Sequence, residues 1–467
     1  MEHAIKLGKK KATYGSGPFR IPIADLALHM IVSGKSGTGK STFLANIFAQ
    51  LANQGQAVIL IDPHGDLANQ VLDLIPPRRI NKTIYINPGD MAWSVGFNPL
   101  DGVHPDRRAA RASEIVNAFR SIWGHSWGPR LEQILLQTLA ALLEMENATL
   151  LGIQRMMLNK SYRDAVVRNI KDPLIAQFWT LEFPIYAKKQ GSNDDPTASV
   201  LNKIGQVLAS PAIRNMLGQK TSSFDLRHVM DNNYVVVVDL SKGALGPDHA
   251  NLFGSLLVSC IGSAAMSRDD IPHEQRKQVA LIIDEFPNYM TTSFADLLAE
   301  ARKYRLSLTL AHQHLAQIPE KVRDAVIGNC GSTVAFRVGA TDAEHFSREF
   351  DGLEPHNVTD TPNHHAWCRI MQFGEPSEPF LLQTLRPPQP HGNRDKVISN
   401  SRIHFATPRA KIEAFIAWFV TGGASDQRPG ATPKPLSQQR TPPTNTPLPP
   451  TPKTEPKQSH DFSWGQW

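Results

Sequence analysis

The chain has 467 residues, with 49 Lys and Arg against 43 Asp and Glu, a formal charge of +6, 41% hydrophobic residues and 35 prolines. That is enough chain and apolar content for two or three domains with real cores, which excludes a wholly disordered protein. Three scattered cysteines, Cys260, Cys330 and Cys368, exclude a disulfide framework and C-x-x-C zinc pairs, and fit a reducing cytoplasmic setting.

The charge sits at the ends. Residues 1–20 hold Lys6, Lys9, Lys10, Lys11 and Arg20 against Glu2, so residues 1–24 read as a basic arm. Residues 421–467 hold five cations, three acids and ten of the prolines, a composition that cannot offset its ordering entropy by burial. They read as a disordered tail whose Phe462, Trp464 and Trp467 are either a loose end or a docking motif. The core between is neutral, so a DNA-binding field there must come from how its charges are arranged.

The first predicted strand, His29–Ser33, runs into a glycine-rich turn and a helix starting near Lys40. Gly34, Lys35, Ser36, Gly37, Thr38, Gly39, Lys40 and Ser41 satisfy G-x-x-x-x-G-K-[ST] in full, with Thr42 next in the helix. Glycines let successive backbone N–H groups converge on phosphate oxygens, and the helix start adds its dipole. Lys40 would reach the β- and γ-phosphates of ATP, and Ser41 would ligate Mg²⁺.

Strands are predicted next at Ala57–Asp62 and Thr83–Ile86. Between about Pro105 and Leu217 only helical patterns occur, Arg130–Glu144 most clearly. Strand patterns return at Tyr234–Leu240, Val279–Asp284, Ser307–Ala311 and Ser332–Arg337, with a buried helix over Leu252–Met266 that is too short to span a membrane. Several of these strands are continuous apolar runs, as in parallel strands covered on both faces. The expected fold is α/β: a P-loop sheet domain built from residues 25–104 and 221–420, interrupted by an all-helical insertion at 105–220. An extended segment over 373–392 and a last helix, Pro408–Phe419, close the domain.

A P-loop needs acids at another strand end, and two strands offer them. Asp62 is followed by Pro63, His64 and Asp66, which a turn explains equally well; Asp284 has Glu285 beside it. Hydrolysis uses one carboxylate for the metal and another for the attacking water, so Asp284 is assigned to Mg²⁺ and Glu285 to water. Gln313, just past Ser307–Ala311, is placed to sense the γ-phosphate. Arg302, at the end of the helix Phe294–Tyr304, is the first choice for an arginine offered to a neighbouring subunit, and Arg337 the second. His364, His365 and Cys368 read as a turn after Pro362 rather than a metal site.

The run HMIVSGKSGTGKST, then AVILIDPHGD, GFNPL (Gly96–Leu100), SWGPRLEQIL (Ser126–Leu135), LNKIGQVLASPAIRNMLGQ (Leu201–Gln219), VVVDLSKGALG (Val236–Gly246), LIIDEF (Leu281–Phe286) and LTLAHQHLAQ (Leu308–Gln317) resembles TraG/TraD-like type IV coupling proteins in content and order. These are conjugation ATPases of the wider FtsK/HerA superfamily. The resemblance implies a RecA-like motor in a ring of six, ATP and Mg²⁺ at subunit seams, DNA (single-stranded, on this reading) in a central channel, and relaxase or secretion-channel proteins as partners. It matches Lys40 and Ser41 to the family's P-loop, Asp284 and Glu285 to its acidic pair, Gln313 to its sensing glutamine and Arg302 to its trans arginine. Typical members begin with two membrane-spanning helices, whereas about 28 residues precede the first predicted strand here. The expectation is therefore a cytoplasmic protein, peripheral at the inner membrane through partners. The alternatives are a HerA-like DNA-processing pump and a protein-secretion ATPase.

Overall fold

In the computed structural model, which describes residues 4–12, 15–192 and 195–421, the apolar runs become the centre of one large sheet. The strands are β1 (Ala4–Ala12), β2 (Gly15–Pro22), β3 (Met30–Ser33), β4 (Ala57–Asp62), β5 (Thr83–Ile86), β6 (Trp93–Val95), β7 (Val235–Asp239), β8 (Val279–Ile283), β9 (Leu306–His312), β10 (Ser332–Ala335), β11 (His365–Arg369), β12 (Met371–Gln372), β13 (Glu375–Pro376), β14 (Phe380–Thr384) and β15 (Ala406–Pro408). Eleven of them form a sheet in the order β2-β1-β14-β11-β10-β3-β9-β8-β4-β7-β5. From β10 to β5 all neighbours are parallel, and from β2 to β10 they are antiparallel. The chain divides into residues 1–424 and 425–467, and the fold described belongs to the first unit.

Every residue of β3, β4, β7, β8 and β9 is buried, because helices cover both faces. Strand alternation splits their side chains between two cores. Ile59, Ile61, Leu281, Ile283, Leu308 and Leu310 join the core that includes the helix Pro247–Met266. Val58, Leu60, Ala280, Ile282 and Ala311 face the other way, onto α1 (Lys40–Asn53).

Two expectations change. The basic segment read as an arm supplies β1 and β2, a hairpin paired through β1 to β14, so Ile5, Leu7, Phe19 and Ile21 are buried. Its lysines hid this, because β1, between the edge strand β2 and β14, keeps Lys9 and Lys11 in solvent. The buried helix is also longer than read, starting at Pro247. Pro247–Asp270 is long and apolar enough to cross a membrane, yet 67% of its most apolar window is buried inside the protein. Its partners are the helix Arg108–Trp123 and the turn after Glu285, so it serves as a core helix.

Residues 105–217 hold helices and no strand among the described residues. The two chain connections to this lobe are tied together by buried Asn98, whose Nδ2 donates to the carbonyls of Ala148 (2.8 Å) and Lys220 (2.7 Å). The Ser222 N–H donates to Asp101 and the Gly96 N–H to the Ser223 hydroxyl, closing the same junction. The asparagine of GFNPL is thus a structural clamp between the segments that enter and leave the lobe. The proline-rich tail, with Phe462, Trp464 and Trp467, lies outside the described residues from 422 onward.

Candidate nucleotide site

The turn from Gly34 to Gly39 connects β3 to α1 at the carboxyl ends of the parallel strands. Gly34 donates its N–H to the His312 carbonyl and Lys35 to that of Arg337, so the loop is hung from the ends of β9 and β10. Thr38 turns inward, its hydroxyl donating to the Lys35 carbonyl at 2.7 Å. Lys35, Ser36 and Gly37 are exposed. Gly39 has φ 116°, a conformation side chains rarely adopt, and a Cβ there would lie 3.0 Å from the His364 ring. No side chain caps α1. Its first N–H groups therefore point out of a helix start with no intrahelical acceptor, beside the exposed Ser41 and half-buried Thr42, which is an arrangement suited to an anion.

Lys40 reaches across to the end of β8. Its Nζ lies 2.7 Å from Glu285 Oε1 and 3.9 Å from Asp284 Oδ1, with all three side chains 7% exposed. Glu285 adopts the left-handed region at φ 46° and ψ 50°. A non-glycine residue held there carries local strain of about 1–3 kcal/mol, and the reverse of direction it gives turns the carboxylate toward the P-loop. Burial pushes the Asp284 carboxyl up to about 6, with Lys40 opposing and Asp62 and Glu285 reinforcing the rise.

That rise has a measurable consequence for the protein without nucleotide or metal. The ordinary value for an aspartate is 3.8, so between about pH 4 and 6 the folded chain holds a proton at Asp284 that the unfolded chain has released. Stability from this group therefore falls as pH rises through that window, by at most about 3 kcal/mol. Urea midpoints measured from pH 4 to 7 should show this slope in the wild type and lose it in Asp284→Asn, which gains stability at pH 7. An identical slope in both would refute the assignment.

Asp62, the competing acid, is fully buried and spends both oxygens on backbone N–H groups, of His64 (2.8 Å) and Ala68 (2.9 Å). It builds the turn and starts the next helix. Burial raises its pKa too.

Gln313 lies one residue past β9, half-buried, beside the P-loop strand. Arg302 does not join the cluster. It is exposed in the turn before β9, whose seven residues put about 20 Å between that turn and the P-loop. There it lines a cavity of ≈ 580 Å³ with His273, Arg276, Lys277 and Arg305. Arg337, by contrast, sits at the P-loop of its own chain, its guanidinium donating to Asn363 at 2.8 Å.

Two neighbours of the site escaped sequence reasoning. His364, at φ 61°, donates its N–H to the Thr38 carbonyl and packs on Gly39. His312 lies under the loop. Among the described residues no group of three or more His, Cys, Asp or Glu is arranged to hold a metal ion. The turn after Pro362 covers Asn363 and His364 alone, and His365 and Cys368, read as part of it, lie in β11 instead.

Set beside known proteins, residues 14–358 match a family model described as the type IV secretion-system coupling protein DNA-binding domain. Among solved structures, the bacterial conjugative coupling protein TrwBΔN70 in its unbound monoclinic form is similar over 83% of this chain and 90% of its own, at 16% identity and a TM-score of 0.58. TrwB with the non-hydrolysable ATP analogue ADPNP is similar over 79% and 87%, at 16% identity and 0.55. VirB4 of Thermoanaerobacter pseudethanolicus is similar over 83% and 97%, at 14% identity and 0.57. No curated protein matches. At such identities the likeness is one of fold, a RecA-like P-loop NTPase sheet with a helical lobe.

Proposed function

Because the chain belongs to the type IV secretion-system coupling protein family, we propose that it is an ATPase motor that couples DNA to a conjugation or secretion channel. The observation that carries this reading is the convergence of Lys40, Asp284 and Glu285 on the mouth of an exposed P-loop. The donors there are hard oxygens, a serine hydroxyl and a carboxylate, which suit Mg²⁺. When bound, Mg²⁺ supplies charge neutralisation for the β- and γ-phosphates. Backbone N–H groups of residues 36 to 42 and the Lys40 ammonium orient the phosphates, with those of Gly34 and Lys35 spent on holding the loop; Ser41 and Asp284 would hold the metal. Glu285 accepts the proton of the attacking water, and Gln313 at the tip of β9 registers the γ-phosphate.

A phosphate oxygen competes with Glu285 for the same ammonium. Nucleotide binding therefore frees the Glu285 carboxylate at the moment it is needed as a base, so the pair couples occupancy to activation. Arg302 stands about 20 Å from its own P-loop, so on this reading it serves the nucleotide of another copy, in a ring with ATP at its seams. In that ring, a hexamer on this reading, the motor domain is residues 25–104 and 221–420 and the helical lobe is 105–220. Single-stranded DNA is the load, and relaxase or channel proteins recruit the motor to the inner face of the membrane.

The test is ATP turnover with and without DNA. We expect single-stranded DNA to raise turnover several-fold, more than duplex does. If neither form raises it and no DNA is retained at low salt, where phosphate contacts are strongest, the DNA-motor reading falls and a protein-secretion load takes its place.

A further inference from the structure

The end of β9 carries a second polar group that the reaction scheme leaves unused. His312 is the last residue of the strand and 0% exposed. Its Nε2 lies 3.0 Å from the hydroxyl of Ser33, its register partner and the residue before the P-loop. Its carbonyl receives the Gly34 N–H. Its ring stands edge-on to Phe286, 5.7 Å between centroids at 88°, and Phe286 follows Glu285 directly. The next residue is Gln313. One imidazole thus touches the strand ends that carry the phosphate loop, the acidic pair and the sensing glutamine.

Packing does not explain the choice of side chain. Nδ1 is buried with no hydrogen-bond partner among the described residues, a cost of about 1–3 kcal/mol that a phenyl ring would not incur. Burial first, and then the charge of Lys40, push the imidazole down to about 3, so it stays neutral and is no pH switch. What it offers that a phenyl cannot is the directional bond from β9 to Ser33.

We infer that His312 is a positioning residue: through Ser33 it locks the tip of β9 to the P-loop, so that Gln313 and Glu285 stand in fixed register with the γ-phosphate. The inference rests on the ATPase reading. Misplacing a reacting group by about 1 Å can cost about a hundredfold in rate. Losing the lock therefore lowers turnover while leaving the phosphate cradle of α1 intact.

The experiment compares His312→Phe, His312→Gln, Ser33→Ala and the His312→Phe/Ser33→Ala double variant in the full chain, by kcat, nucleotide affinity and thermal midpoint. His312→Phe should keep or raise the midpoint and hold nucleotide affinity within about threefold, while kcat falls at least about tenfold. Glutamine places its terminal amide as many bonds from Cβ as Nε2, so His312→Gln should recover most of kcat. Ser33→Ala should share the loss, and the double variant should be no worse than either, as for two ends of one interaction. Wild-type-like kcat in His312→Phe, failure of glutamine to rescue, or additive losses would each overturn the inference. Should phenylalanine unfold the protein, Ser33→Ala against His312→Gln carries the test. A wild type with no ATP turnover would instead overturn the ATPase reading, and this inference with it.

Discussion

Glu285→Gln is expected to lower ATP turnover at least about a hundredfold, the scale of losing a general base, while nucleotide affinity rises. Both parts follow from one distance, the 2.7 Å between Glu285 and Lys40. The amide cannot take a proton from water. It also has no charge with which to hold the ammonium, so Lys40 meets the incoming phosphates without first giving up a salt bridge. Steady-state turnover and a fluorescent-nucleotide titration check the two halves, and undiminished hydrolysis would refute the assignment of Glu285. Were turnover to fall with affinity falling alongside, Glu285 would be a ligand of the phosphates' surroundings rather than the base.

Lys40→Ala should have the larger effect on the folded protein itself. It removes the ammonium proposed to bind phosphate, so nucleotide binding should drop below detection. It also strips the only cation that lies within 4 Å of Asp284 and Glu285 among the described residues, both acids being 7% exposed, with Asp62 close behind. Breaking a buried pair by removing one partner costs about 3–5 kcal/mol. The denaturant midpoint of Lys40→Ala at pH 7.5 should fall accordingly and recover partly near pH 5, as Asp284, whose carboxyl burial pushes up to about 6, takes up a proton. A midpoint equal to wild type at both pH values would mean that the acids are better solvated than their burial indicates.

The parallel strands were legible because burial on both faces forces long Val, Ile and Leu runs. Ala57–Asp62 and Thr83–Ile86 coincide with β4 and β5 as read, and the other central strands differ by one or two residues at an end. The edge was not legible. β1, next to the edge strand β2, reads AIKLGKKKA: the alternation of Ile5, Lys6 and Leu7 is cut short by a bulge between Lys6 and Gly8, and three lysines follow. The short strands β6, β12, β13 and β15 fall below the length at which any period can be counted. At the site, the motifs named the P-loop and both acids, because phosphate chemistry restricts the residue types. His312 and His364 carry no motif; their roles come from the strands and turns that bring them to the loop.

The sequence alone determined that this protein holds a P-loop, an acidic pair some 240 residues away, a helical insertion between them, and a central set of buried strands. Those are local properties: phosphate cradles need glycines, a lysine and a hydroxyl in a row, and doubly covered strands need apolar runs. Only the tertiary structure decided which acid Lys40 holds, that Asp62 is spent on its own turn, that Arg302 stands at the far end of β9 from its own loop, and that the charged amino-terminal segment is sheet. These depend on strand order, which places β9 between β3 and β8 although 272 residues separate Ser33 and Leu306. The reason is that strand order is settled by which covered faces fit together, and that is written in the sum of both cores rather than in any one segment.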